Sequence, residues 1–256
     1  MNERTTYPFQ IINREWLKIL AMFFMLLDHA YSTVVSVAGF EWMTQIGRIA
    51  FPIFAFQITE GYIHTSNKNR FIKNMFIFAL ISEIPYNLMM GGEILGPFHQ
   101  NVMFTFFIAL LLLRLIDKVW STSYPVILKM LLMGGICLLG IVIGTLTFVD
   151  YLGLGVLTVL LFYIAKLMPK RYLEMLVQFV SLWMINWIFL GGKIIILPNG
   201  MEFPEQGLAL LSLPLIWLYN GKKVLTGKRA QIFKYCSYAF YPAHILILSL
   251  IALYIL

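Results

Sequence analysis

Nine mostly apolar stretches run along this chain, at about 17–37, 47–64, 73–91, 101–116, 124–144, 151–168, 172–190, 206–220 and 238–256, with the charged residues concentrated between them. A helix needs about 20 apolar residues to cross the hydrocarbon core of a bilayer. In lipid, every backbone polar group must be satisfied within the protein, which limits a crossing chain to helices or a closed barrel. Segments of this length and continuity point to helices. Composition agrees: 60% of residues are hydrophobic and 12% are charged, against about 25% charged in soluble domains. That balance excludes a soluble globular domain, and it excludes disorder, which requires low hydrophobicity and high charge. The predicted fold is all-α, a polytopic integral membrane bundle of about nine transmembrane helices, with residues 1–256 forming one domain.

The basic residues predict how the bundle is oriented. Arg4, Arg14 and Lys18 precede or open the first segment, and Lys68, Arg70 and Lys73 separate the second from the third. Arg114, Lys118 and Lys129 surround the gap between the fourth and fifth segments, and Lys166, Lys170 and Arg171 the gap between the sixth and seventh. Lys222, Lys223, Lys228, Arg229 and Lys234 lie between the eighth and ninth. Every Lys and Arg except Arg48 and Lys193 therefore falls on alternate gaps. Lys and Arg accumulate in cytoplasmic loops, so the N-terminus is expected in the cytoplasm and the C-terminus outside, in the cytoplasmic membrane of the cell. The net charge of +7 reflects this distribution, and no nucleic-acid partner is expected. The polar N-terminal stretch has no cleavable signal pattern, so the first apolar segment is expected to persist as a span. Cys137 and Cys236 lie in or beside apolar segments and are expected to be packed side chains. Gly140 and Gly144 form a small-xxx-small pair in the fifth segment, a helix-packing feature.

Ionisable residues inside membrane segments are costly and point to function by default. Here they are Asp28, His29, Glu60, Glu83 and His244, with Arg48 and Asp150 at the outer ends of segments and His64 at an inner end. At about 1.5 Å per residue, His29 lies roughly 18 Å along the first segment and Glu83 roughly 15 Å along the third. Asn101, Thr105, Asp150, Asn186 and His244 share the layer from the midplane outward, and a lined cavity is the simplest account. Structural readings stand beside this. Asp28 can pair with Arg48, Glu60 can pair with His64 at i, i+4, and His244 can be a packed imidazole bonded to a carbonyl. Asp28 and His29 point about 100° apart on a helix and do not face each other. No HExxH, CxxC, GxSxG, Walker A or dinucleotide fingerprint is present, and no metal is expected.

Several stretches together resemble the TraX family, whose namesake acetylates the N-terminus of conjugative F-type pilin. They are LKILAMFFMLLDHA (17–30), IGRIAFPIFAFQITEGYIHT (46–65), RFIKNMFIFALISEIPYN (70–87), NVMFTF (101–106), DYLGLG (150–155), GKR (227–229) and FYPAHILIL (240–248). The resemblance spans nearly the whole chain. It implies a further likeness to membrane acyltransferases that carry a basic residue, ten residues and then His in the first span, a spacing that Lys18 and His29 fit. Arg70 and Lys73 are similar to the cytoplasmic basic pair of those enzymes, with Lys in place of the second Arg.

The implied activity is transfer of acetyl from cytosolic acetyl-coenzyme A to an acceptor at the outer face, a pilin N-terminus or an envelope polysaccharide. Membrane lipid is the other expected partner. Lys18, Arg70, Lys73 and Arg229 are the candidate donor-binding residues, because the anionic donor needs cytoplasmic cations. His29 is the candidate base or acyl carrier, with Glu83 as its orienting partner and Asp28 beside it. Arg48, Asn101, Asp150 and His244 are candidate acceptor-binding residues. Two other classes remain open: a proton-coupled transporter, for which buried Asp, Glu and His also suit, and a non-catalytic pilus or envelope assembly factor.

Overall fold

A computed structural model describes residues 7–196 and 199–254. Arg4 and the last two residues of the ninth apolar segment lie outside the described residues. The chain is helical at each of the nine segments, as expected, with different boundaries and several interruptions. By length and composition, four helical runs among the described residues can cross a membrane: Arg14–Val35, Val126–Leu146, Arg171–Leu190 and Gly227–Tyr254. The residues divide into two compact units. One comprises 1–54 and 178–240, the other 55–177 and 241–256.

In the first unit, α1 (Arg14–Ala30) begins where the Asn13 side chain accepts the Trp16 N–H at 2.9 Å, satisfying one orphan amide of the first turn. It continues as a π-helical turn, Tyr31–Val35, and stops at Ser36, whose φ is 36°. The second segment is not one helix. It is broken into α2 (Trp42–Gly47) and α3 (Ala50–His64), of which residues 50–54 belong to this unit. α2 lies against α1 because Gly47 has no side chain: a Cβ there would lie 2.4 Å from the Asp28 Cβ.

The end of α8 (Arg171–Trp183) passes into a second π-helical stretch, Met184–Leu190. Next come a two-stranded hairpin, β1 (Ile194–Ile196) with β2 (Glu202–Pro204), a 3-10 turn Glu205–Leu211 and α9 (Ser212–Trp217). Among the described residues the hairpin is the departure from an all-α chain that forms paired strands, and no alternating pattern in the sequence announces it. Residues 12–14 pair with 218–222: Ile12 N–H donates to Leu218 O at 2.9 Å, Asn220 N–H to Ile12 O at 2.9 Å and Arg14 N–H to Lys222 O at 3.0 Å. The last helix, α10 (Gly227–Tyr254), starts eleven residues before the ninth apolar segment and carries Pro242 inside it. Its polar first turns, with Lys228, Arg229 and Lys234, hide that start from a hydropathy reading. Cys236 is exposed on this helix and Cys137 is partly buried, so the expectation of two packed thiols fails for Cys236.

In the second unit, α4 (Lys68–Gly91), α5 (Val102–Trp120), α6 (Val126–Leu146) and α7 (Leu152–Lys166) pack in sequence order, and α5 also packs on α7. Ala109, Leu110, Leu113, Ile116, Val156, Val159 and Leu160 form its buried centre. In lipid, apolar burial gives little drive to associate, so close packing of small residues carries more of the load. The glycine pair expected to pack does so. A Cβ on Gly144 would lie 2.8 Å from Gly153 Cα, and one on Gly140 would lie 3.0–3.1 Å from Leu112, Leu160 and Val156 side chains. The 147–152 turn is strained, with φ of 53° at Phe148, 59° at Tyr151 and 50° at Leu152. It is pinned to the start of α5 by Gln100 N–H to Phe148 O and Asp150 N–H to Gln100 O, both 2.9 Å.

Candidate functional site

The helix that carries Lys18 and His29 is unbroken between them, and Asp28 and His29 occupy its last turn, immediately before the π-helical residues. Such π segments often mark functional sites. Ser32 Oγ donates to Asp28 O at 3.0 Å and His29 O at 3.2 Å, where the helix passes from α to π. Asp28 does what its structural reading anticipated. Its Oδ1 accepts from Thr44 Oγ1 at 2.5 Å and lies 3.4 Å from Arg48 Nη2, while Arg48 Nη2 donates to Thr44 Oγ1 at 2.6 Å. Arg48 Nε is also 3.3 Å from Glu205 Oε1. One guanidinium thus joins α1, α2 and the 3-10 turn, and its charge reaches the His29 imidazole. The arrangement orders the surroundings of His29 and places a fixed positive charge beside it. Asn186, assigned to the polar layer, is buried in the second π stretch and donates to Leu182 O at 3.0 Å.

A second polar group lies in the other unit. Asn101 caps α5: its Oδ1 accepts the Met103 N–H at 3.0 Å, and its Nδ2 donates to Ala79 O at 2.9 Å and Glu83 Oε2 at 2.5 Å. Glu83 Oε1 is buried without a hydrogen-bond partner. Thr105 Oγ1 donates to Asp150 O at 2.8 Å, and Asp150 Oδ1 accepts the Tyr151 N–H at 3.0 Å. The Tyr241 phenol bonds to the Val102 backbone and lies within electrostatic reach of Asp150, Tyr86 and Glu83. The Tyr241 and His244 rings meet edge to face, with centroids 5.9 Å apart. Glu83, Asn101, Asp150 and His244, expected to share a layer, are therefore brought to one region of this unit. Tyr86 and Tyr241 belong to the group as well. The sequence reading passed over both, although each sits three residues from a flagged side chain, Glu83 and His244, which places it on the same helix face.

The candidate donor cations differ in setting. Lys18 is half-buried on α1 and lies within reach of Arg14, Glu15 and Lys234. Arg70 and Lys73 on α4 and Arg229 on α10 are exposed. A further ionic network in the second unit was only partly anticipated. The Glu60–His64 pair forms at 3.6 Å, but Glu60 is bound more closely by Lys166 at 2.7 Å. Lys166 also reaches Glu174 at 3.1 Å, and Arg171 holds the other oxygen of Glu174 at 2.9 Å. Asp117 gathers Lys68, Tyr163 and Tyr62, the last at 3.1 Å. Among the described residues, no three His, Cys, Asp or Glu side chains are grouped to hold a metal ion.

Four helical runs long and apolar enough to cross a membrane mark the class: a helical membrane protein. The chain belongs to the TraX family: the family described as "TraX protein" matches residues 13–252. The resemblance carried by the sequence motifs is thus borne out over nearly their full extent. A Dichelobacter nodosus protein described as "Probable fimbrial assembly protein FimC, serogroup H1" is 26% identical over 253 residues, covering 91% of this chain and 92% of that protein. No solved structure matches the chain.

Proposed function

We propose that this protein is an integral membrane acyltransferase that moves acetyl from cytosolic acetyl-coenzyme A to an acceptor at the outer face of the membrane, a pilin N-terminus or another envelope substrate. The observation that carries the reading is the continuous α1, which links cationic Lys18 to His29 across about 16 Å of helix rise. The acetyl thioester of a donor held by its phosphates at the basic end comes within range of His29 through the long pantetheine arm. In the transfer, the acceptor nitrogen or oxygen forms a bond to the acetyl carbon, the C–S bond breaks, and the coenzyme leaves as a thiolate. His29 takes the acceptor proton and returns it to the thiolate, or carries the acetyl group between the two. Asp28, through Arg48, positions the end of α1. Glu83, whose Oε1 is buried without a hydrogen-bond partner, suits an acceptor N–H. Asn101, Asp150 and His244, in the same unit as Glu83, are assigned to the acceptor; Lys18 and Arg229 in the first unit, and Arg70 and Lys73 in the second, are each assigned to the donor phosphates. The chain crosses nine times, N-terminus inside.

Incubating the purified protein with labelled acetyl-coenzyme A and membranes from cells lacking it tests this reading. Label should pass to an envelope acceptor. His29→Ala should lower the rate by about 10²–10⁴-fold, as removal of a general base does, while donor affinity stays close to wild type. A stable His29→Ala protein that transfers at a near-normal rate removes the assignment. A second reading is favoured by the likeness to the Dichelobacter nodosus fimbrial assembly protein: a non-catalytic assembly factor for fimbriae. It predicts no labelled product from the wild-type protein, and fimbriation that depends on the protein's presence but not on His29.

A further inference from the structure

Residues 7–18 and 218–238 contain seven Lys and Arg against one acidic residue, Glu15. They come together because residues 12–14 pair with 218–222, which ties the entry of α1 to the loop before α10. Glu15 is already engaged, since its Oε2 accepts the Val224 N–H at 3.1 Å. Arg14 and Lys18 are i, i+4 neighbours on α1, an arrangement that repels. Lys234 of α10 adds its charge to the same half-buried Lys18. None of the three takes part in an ion pair among the described residues. Against these three cations from two helices the Glu15 carboxylate supplies one negative charge, which leaves an excess of positive charge for a bound anion to offset. Two aromatic rings border the group. Tyr238, four residues after Lys234 and on its face of the helix, lies within reach of Arg14 and Tyr235. Tyr235 is 42% exposed, with Lys234 Nζ 5.6 Å from its ring centre.

Cations alone fit any phosphate. Cations beside the exposed Tyr235 and the partly buried Tyr238 fit a phosphate joined to a flat base, because charge and stacking then act on one ligand. We propose that Arg14, Lys18, Lys234 and Tyr238 form a phosphonucleotide-binding subsite, which on the acyl-transfer reading holds the adenosine bisphosphate end of the donor. It rests on that reading only for the ligand's identity. The subsite gives Arg14, Lys234 and Tyr238 roles that no motif assigned. It also puts the phosphate anchor on the same helix as His29, so that α1 sets the distance between anchor and reacting thioester.

Binding of adenosine 3′,5′-bisphosphate to the full protein in nanodiscs, at low and high salt, tests the subsite without any reaction. The bisphosphate should bind, compete with acetyl-coenzyme A and weaken as salt rises. Arg14→Gln and Lys234→Gln should each lower its affinity roughly tenfold, an effect of the size of one charge-assisted contact, and Lys234→Arg should restore most of it. Tyr238→Leu should weaken the bisphosphate and leave competition by inorganic pyrophosphate unchanged. Wild-type affinity in both Gln variants overturns the subsite, as does absence of bisphosphate binding by the wild-type protein. The other source of phosphate is a lipid headgroup. Comparing zwitterionic with anionic nanodiscs separates the two: variants that lose anionic lipid yet bind the bisphosphate normally also overturn the proposal. Acetyl transfer with bisphosphate binding unaffected by the variants removes the subsite and keeps the acyl-transfer reading. Variant-sensitive bisphosphate binding without any transfer keeps the subsite and removes that reading.

Discussion

Lys166 holds two carboxylates at once, Glu60 at 2.7 Å and Glu174 at 3.1 Å, with its ammonium 4.6 Å from the centre of the Phe56 ring. The Lys166 side chain is 9% exposed and that of Glu174 1%. Removing one member of such a buried group leaves an uncompensated charge, which costs about 3–5 kcal/mol. Lys166→Met should therefore lower the thermal midpoint of the detergent-solubilised protein strongly. Lys68→Met, which removes a pair whose side chains are 38% and 33% exposed, should lower it only slightly, in line with the roughly 0–1 kcal/mol of surface pairs. Equal shifts for the two variants would contradict the ranking. These residues also show what a sequence can disclose. Asp28 with Arg48 was legible because two opposite charges intrude into apolar segments at one end, and Glu60 with His64 because i, i+4 spacing fixes them on one face. The Lys166–Glu60 contact was not legible, since it joins residues on separate helices and Lys166 reads as an ordinary end-of-segment cation.

Helix α7 lies close to α6 only because Gly153 and Gly144 lack side chains. A Cβ on Gly153 would fall 2.1 Å from Ile141 O and 2.5 Å from its Cα, both backbone atoms that cannot turn aside. Gly153→Ala should separate the two helices and cost about 1–3 kcal/mol, the usual range for overpacking. Gly135→Ala, on the same α6 but with nothing within 4 Å of the added carbon, should be neutral or stabilise by up to about 1 kcal/mol, because Gly is a poor helix interior residue. Thermal melts of the two variants side by side check the contrast, and a Gly153→Ala protein as stable as wild type would mean that α6 and α7 are not held at this spacing. At this scale the apolar segments located the helices well, because length and continuity of apolar residues are what a helix in lipid requires. Their ends and breaks were less legible. The gap between α2 and α3 and the π-helical turns after α1 and α8 depend on tertiary contacts, such as Asp28 seated over Gly47, that no local pattern encodes.

Whether the molecule crosses the membrane an odd or an even number of times depends on its weakest segment, 206–220. There the chain forms a 3-10 turn, Glu205–Leu211, followed by the six-residue α9. At about 2.0 Å per residue in the first and 1.5 Å in the second, the pair extends roughly 23 Å, short of a hydrocarbon core about 30 Å thick. Helices α3 and α7, at 15 residues each, are as short, and a bilayer can thin around such elements at modest cost. Charge speaks for a crossing. If 206–220 turned back, Lys222, Lys223, Lys228, Arg229 and Lys234, the richest basic cluster in the chain, would face outside, against the bias that sets topology. The burden on the basic cluster is larger than the strain of a short span, so the crossing should win. A reporter active only in the cytoplasm should then work when inserted between Lys223 and Gly227 and be silent when fused after Leu256, and a reporter active only outside should give the opposite pattern. If the cytoplasmic reporter is instead silent at the Lys223 site and active at the C-terminus, the segment is re-entrant. The backbone pairing of residues 12–14 with 218–222, which already speaks for a shared side, would then be overturned, and with it the subsite of Arg14, Lys18 and Lys234.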